Sequence, residues 1–460
     1  MEKKRLREQE NFVSWLLSPI TVTQFFHDYF EKKFLYIDRK ATSYFCRGDF
    51  SIPWSAEGLV KLAEDNNVFH GSDYNVVKYC TEQKKRITME SSEKIDAKML
   101  RHWMDDGWSV RVLRPHQFSP QISRIISFME EEFGCSGGSN SYWTPKGSQG
   151  FAPHYDDVDV FLLQLEGSKL WNLYLPPLPE DVLSRHSSED YTPESLPSPA
   201  ASITLKAGDV LYMPRGTIHQ GRCLGEHSLH ITLSINQMHS WADFMLCFLR
   251  NRIETIAANS VSWRRSVDAN WMNSLGAVHS RAFRDQYKEG ASMKSTVPLQ
   301  REALLKHTRQ LLLELFDDCQ KSTSIDTASD MFACDVIVKR QPPPNPRQSA
   351  PTLLTSETRI ALRCPQTSVR LVMNCPGEVQ VFHTGVNSTV TPQQEEGKLR
   401  YEEDFASALS VIVDSPRDAV CIGDLPMPAF EVEDGAENRL ILVRSLINSG
   451  VCVVERKPIE

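Results

Sequence analysis

The order of apolar and polar positions along the chain changes period several times, and each change marks an element. Residues 11–30 place apolar residues at helical spacing between Ser and Thr caps and predict two short helices. From 34 to 113 the pattern mixes short strands, at 34–37 and 110–113, with a helical stretch at 56–64. Residues 124–133 are amphipathic and stop at Gly134, so they predict a helix with a glycine cap. The small residues that follow lead into a strand carrying Asn140 and Tyr142, which alternation places on one face. Behind Asp156 runs the most apolar stretch of all, a β-branched and leucine-rich strand ending at a Glu166-Gly167 turn, beyond which Lys169, Trp171 and Leu173 share a face. Residues 176–202, rich in Pro, Ser and Glu, predict a long surface loop. A further strand-like run, 208–213, ends in a Pro214-Arg-Gly216 turn. Residues 240–318 return to helical spacing, with Leu304, Leu305, Leu311, Leu312 and Leu315 on the pattern. Three successive prolines at 342–344 mark a linker. After it come strands at 370–373, 379–382 and 451–455 and helices at 405–413 and 439–448.

Two of these elements end in metal-competent side chains. His154 and Asp156, two apart at the start of the apolar strand, face one way if that strand extends back to them. The spacing alone decides little, since 13 histidines and 59 acids in 460 residues make such a triplet unsurprising. The 208–219 stretch is more specific, because its turn delivers His219 where a third ligand can meet the first two. Two imidazoles and one carboxylate form a facial triad, the signature of non-haem Fe(II) oxygenases in which a 2-oxo acid and O2 take the open positions. Lys169 among apolar neighbours either snorkels to solvent or meets an anionic ligand.

Residues 138–154, 163–171 and 227–234, together with the His219 turn, resemble the JmjC-type 2-oxoglutarate oxygenases, and within them the ribosomal oxygenases. These stretches lie within residues 138–234, about a fifth of the chain, and a weaker likeness covers nearly all of it. The resemblance implies an α+β fold, a double-stranded β-helix (cupin) barrel with a helical dimerisation region and a C-terminal winged-helix-like domain. The implied domains are residues 1–113 packing on the barrel, 114–239 the catalytic core, 240–340 the dimerisation helices, 341–356 the linker and 357–460 the terminal domain. It further implies that His154, Asp156 and His219 hold Fe(II) and that Lys169, with Thr232, anchors 2-oxoglutarate. Asn140, Tyr142 and Ser234 would bind the substrate side chain. The implied activity is hydroxylation of a histidine in a ribosomal protein, with demethylation of histone H3 lysine as a second activity. A homodimer in the nucleus, or more narrowly the nucleolus, is also implied.

Composition narrows this only slightly. With 41% hydrophobic and 24% charged residues the chain reads as an ordinary soluble protein of two to four domains. No apolar run approaches a membrane span, and the charged start lacks a secretory signal, so an intracellular protein without membrane contact is expected. The cluster Lys3, Lys4, Arg5 and Arg7 is broken by acids and is no long basic arm. Eleven cysteines without a Cys-x-x-Cys pair are expected as reduced thiols. Residues 250–309 hold 11 Lys and Arg against 5 Asp and Glu, whereas 357–460 hold 10 against 16. The second count argues against direct sequence-specific DNA binding, which rests on basic phosphate contacts. Two other readings remain at this point: a cupin metalloenzyme of another class, which has no need of Lys169, and a non-catalytic scaffold in chromatin or ribosome assembly, which has no need of three ligands.

Overall fold

A computed structural model describes residues 12–65, 68–176, 178–269, 271–277, 280, 297–344, 347–390, 397–415, 419–427 and 434–455. The chain divides into two units, Met1–Ser240 with Cys334–Glu460, and Trp241–Ala333.

The first unit is organised by a nine-stranded antiparallel sheet. Its strands are β1 (Leu35–Ile37), β2 (Tyr74–Cys80), β3 (Lys85–Thr88), β4 (Ser109–Leu113), β5 (Gly138–Pro145), β6 (Asp159–Tyr174), β7 (Ala201–Lys206), β8 (Val210–Met213) and β9 (Ile218–Ile235). The order is β1-β8-β6-β9-β5-β4-β2-β3, with β7 on β6. Around it lie α1 (Phe12–Leu17), α2 (Val22–Asp28), α3 (Ala56–Asp65), α4 (Ala97–Asp105) and α5 (Pro120–Phe133). The caps explain the bounds: the Thr21 hydroxyl accepts from Gln24 N at 3.1 Å, and α5 starts on Ser119 with Pro120 in its first turn and stops at Gly134, φ 71°.

Burial accounts for the apolar run in β6. Phe161, Leu163 and Leu165 pack with Phe12, Leu16, Phe25 and Ile126, whereas Val160 and Leu162 pack with Trp171, Leu173, Leu211 and Met213 on the other face. A strand covered on both faces loses the polar half of its alternation. Gly167 corrects the expected turn, because β6 runs through it and the register against β9 slips on either side. A Cβ at Gly167 would lie 1.9 Å from the His227 carbonyl oxygen, and its φ is 67°. Only glycine lets the two backbones meet there, so the sequence marks a bulge that resembles a turn.

In the second unit, α6 (Trp241–Asn259) and α7 (Val297–Cys319) are followed by the start of α8 (Ser322–Lys339). The buried Arg252 donates to Ser324 Oγ at 3.1 Å and stands 3.7 Å from the Asp318 carboxylate, tying the three helices together.

The chain re-enters the first unit within α8, at Cys334. Two three-stranded sheets follow: β10 (Arg359–Leu362) between β14 (Val420–Cys421) and β15 (Cys452–Val454), and β12 (Glu378–His383) between β11 (Val369–Cys375) and β13 (Lys398–Glu402). With α9 (Ala406–Asp414) and α10 (Asp434–Asn448) they enclose a core of Ile360, Val379, Leu409, Ile422 and Leu446. The proline-rich segment is anchored where it begins. Arg340, 1% exposed, donates to the carbonyls of Cys135 at 3.0 Å and Thr367 at 2.5 Å. Gln341 N donates to Glu130 Oε2 at 2.9 Å, and Ser123 Oγ to Gln341 Oε1 at 3.0 Å. Composition names a linker because prolines cannot continue a helix. What it hides is the buried pair of residues just before them.

Candidate metal centre and its pocket

The triad assembles, but not on the strand that the spacing suggests. β6 starts at Asp159, and His154 and Asp156 lie in the segment before it. An isolated antiparallel bridge substitutes for the strand: His154 N donates to His219 O at 3.2 Å and His219 N to His154 O at 2.9 Å. The Pro214 to Gly216 turn is held on the same segment, since Gly216 N donates to Asp156 O at 3.0 Å. His154 Nδ1 lies 2.8 Å from Ala152 O, and His219 Nδ1 lies 3.0 Å from Thr217 O. A backbone carbonyl only accepts, so each ring carries its proton on Nδ1 and presents the Nε2 lone pair, as metal ligands require. Those Nε2 atoms face the two oxygens of Asp156, at 3.8 Å from His154 and 3.7 Å from His219. One ligand atom from each residue lies within 4.8 Å of the others, and no other such group occurs among the described residues. Burial beside His154 pushes the His219 imidazole down to about 4, which keeps it neutral and able to bind a cation.

Behind the triad the structure has a pocket that opens to solvent. It is lined by Tyr142, Lys169, Trp171, Gln220, His230 and Thr232, with Val160, Leu162 and Met213 as its apolar wall. Lys169 is 5% exposed, which excludes the snorkelling alternative. Its Nζ has Thr144 Oγ1 at 3.2 Å and the Trp171 ring at 5.0 Å, and no carboxylate pairs with it among the described residues. Burial pushes the ammonium down to about 8. Such a cation suits an anionic ligand and is costly without one. Gly221 makes room for it, because a Cβ there would stand 2.8 Å from Lys169 Cε and 3.1 Å from the Trp171 ring. The donor set of the triad and this lone buried cation therefore fit Fe(II) and a dicarboxylate such as 2-oxoglutarate.

The remaining expected residues divide. Tyr142 and Thr232 line the cavity, whereas Asn140 and Ser234 do not. Thr232 faces Asn140 across the β5/β9 ladder, and Ser234 faces Gly138 one step further along. With its amide turned to satisfy both ends, Asn140 accepts from Arg111 at 3.0 Å, and the Arg111 guanidinium lies 5.6 Å from the Tyr142 ring centre. Sequence reasoning missed Arg111, Gln220 and His230. Alternation gave a signal for His230, which shares the β9 face of Thr232 and Ser234. Arg111 is opposite Tyr142 in the β4/β5 register, which no local pattern discloses.

A family profile described as JmjC domain matches residues 111–244. Among relatives, the chain is 30% identical over 458 residues to the bifunctional lysine-specific demethylase and histidyl-hydroxylase NO66 of Dictyostelium discoideum, covering 98% of this chain and 83% of that one. It is 30% identical to ribosomal oxygenase 1 of Rattus norvegicus, covering 98% and 73%. Among solved structures it is similar to the Escherichia coli ribosomal oxygenase YcfD, with a TM-score of 0.49, 14% identity and 95% and 98% coverage. The profile defines the class, a JmjC-domain protein built on the cupin barrel. Within it, the chain belongs to the ribosomal-oxygenase family, enzymes that use Fe(II) and 2-oxoglutarate.

Proposed function

We propose that this protein hydroxylates a histidine of a ribosomal protein, with His154, Asp156 and His219 holding Fe(II) and Lys169 anchoring 2-oxoglutarate, assisted by Thr232. The observation that carries the reading is the pairing in one cavity of a pre-oriented triad with a buried, unpaired ammonium. When bound, Fe(II) supplies activation of O2 with the 2-oxo acid as reductant: one oxygen atom enters the substrate C–H bond, the other enters succinate, and CO2 leaves. The protein's part is to orient and to exclude water. The carbonyls of Ala152 and Thr217 fix the imidazoles, and Val160, Leu162 and Met213 supply an apolar wall.

Arg111 supports histidine over methylated lysine as substrate. A methylated ammonium on the Tyr142 face would share that ring with the Arg111 guanidinium, and two cations there repel. A neutral imidazole meets no such penalty, and the Tyr142 hydroxyl suits one of its nitrogens. Peptides of ribosomal proteins containing histidine, and methylated histone H3 peptides, would be incubated with enzyme, Fe(II) and 2-oxoglutarate and read by mass spectrometry. Oxygen added to histidine is expected; formaldehyde release from the histone peptides without it would overturn the assignment. His154→Ala and His219→Ala are expected to abolish succinate release at limiting iron, and wild-type turnover in either would remove that residue from the site.

A homodimer through the 241–333 unit belongs to the same proposal. It is supported by apolar side chains open to solvent on α6 and α7, among them Trp241, Leu246, Leu312 and Phe316. Light scattering would show a dimer that Trp241→Glu or Phe316→Glu dissociates. Nuclear residence, including the nucleolus, follows from the same family reading and is tested by imaging the tagged protein.

A further inference from the structure

The most buried titratable group of the cavity has no part in the scheme above. His230 is 1% exposed. Its ring lies parallel to Tyr142, 4.9 Å away and tilted by 8°, and edge-on to Trp171 at 5.4 Å. It therefore stands between the residue that faces substrate and the wall that carries Lys169. No hydrogen bond satisfies Nδ1, which is out of reach of solvent. A phenylalanine would fill the same stack without burying an unsatisfied polar atom.

The ring's protonation follows from its surroundings. Burial, with the Lys169 ammonium and the metal ligand His219 facing the ring, holds the imidazole well below its ordinary range, so it is neutral. A neutral imidazole has one N–H and one lone pair. An unpaired lone pair costs less than an unpaired N–H, so the proton belongs on Nε2, leaving Nδ1 as the idle acceptor. The ring thus offers a donor to the cavity that it lines, beside the one buried cation there.

We propose that His230 is a cosubstrate-binding residue whose imidazole N–H donates a hydrogen bond to a carboxylate or keto oxygen of the 2-oxo acid. This rests on the reading of the cavity as the 2-oxoglutarate site. The consequence is a division of labour in which Lys169 supplies charge and His230 supplies direction, and the stack on Tyr142 ties the position of the cosubstrate to that of the substrate.

The test uses the full chain loaded with Mn(II) under anaerobic conditions, so that no turnover intervenes, and radiolabelled 2-oxoglutarate in equilibrium dialysis. His230→Phe keeps the stack and removes the donor; His230→Gln keeps a donor and removes the ring. Affinity is expected to fall about tenfold or more in His230→Phe, since a hydrogen bond to a charged group contributes roughly 1.5–3 kcal/mol, and to recover in large part in His230→Gln. Mn(II) affinity should stay unchanged in both. Wild-type binding by His230→Phe, or equal weakness in the two variants, overturns the proposal. Should either variant fail to fold, the wild-type protein with Zn(II) and 15N-labelled histidine decides. Addition of 2-oxoglutarate must shift and protect one non-ligand imidazole N–H, and an unmoved spectrum overturns the proposal. Failure of wild-type protein to bind 2-oxoglutarate at all would instead remove the functional reading beneath it.

Discussion

Lys169 is buried with no carboxylate beside it among the described residues, so an empty neighbourhood is costly to it. Lys169→Ala should raise the KM for 2-oxoglutarate about tenfold or more while metal affinity stays unchanged, because a charge-assisted contact contributes roughly 1.5–3 kcal/mol. Steady-state kinetics across 2-oxoglutarate concentrations measure it, and an unchanged KM moves the anchor elsewhere. Gly221→Ala should act in the same direction more weakly, since the added methyl displaces Lys169 and Trp171 without removing the charge. At this scale much of the site was legible. His154, Asp156 and His219 stand out because ligand chemistry shows in a sequence without knowledge of neighbours, whereas Lys169 is singled out by the family resemblance, since its apolar setting alone fits a snorkelling lysine equally. The cross-strand residues do not stand out. Arg111 matters through Tyr142 and Asn140, and that relation exists only once β4 lies beside β5.

Between residue and molecule, the strands decide where chemistry stands. β6 serves three purposes in sequence: it starts just after the metal ligands, carries the cavity wall at Val160 and Leu162, and crosses the Gly167 bulge to place Lys169. The bulge shifts the register by which Lys169 meets Cys223, so it sets which face the ammonium takes. Gly167→Ala is expected to cost about 2 kcal/mol or more, since its Cβ meets the His227 carbonyl and its φ disfavours any side chain. Chemical denaturation checks this, and a loss under roughly 0.5 kcal/mol would show that the strands can part there. Periodicity located β6 and most helices, because burial writes itself into sequence. It misread Gly167 as a turn because a glycine needed for left-handed backbone looks the same in either setting. It also placed His154 on the strand, since a single bridge leaves no periodic trace.

For the molecule as a whole, the joint between the barrel and the C-terminal sheets carries a titrating group. Glu130 is wholly buried, accepting from Gly137 N at 3.0 Å and Gln341 N at 2.9 Å, and burial pushes its carboxyl up to about 8 despite nearby Arg340. A folded-state pKa above the unfolded one means that the folded chain holds this proton more tightly. Its stabilisation is complete below about pH 4.5 and is lost as pH rises through about 8. The thermal midpoint should therefore fall between pH 6 and pH 9, and Glu130→Gln should flatten that slope. An equal slope in both proteins would assign the titration to another group. No compositional signal marks this joint: the prolines advertise a break, and the polar residues that close it look like ordinary surface until Cys135 and Thr367 are seen around Arg340.

The same joint imposes an order on synthesis. Cys135 and Glu130 leave the ribosome long before their partners, for Arg340 lies 205 residues beyond the first and Gln341 lies 211 beyond the second. Until then the nascent barrel has its strands but not its clasp, and Glu130 stands at a surface still open to water, free to ionise. Completion must return that carboxylate to its proton or bury it charged. A nascent chain arrested before Arg340 should be cut readily by protease near α5, and release of the finished chain should end that sensitivity.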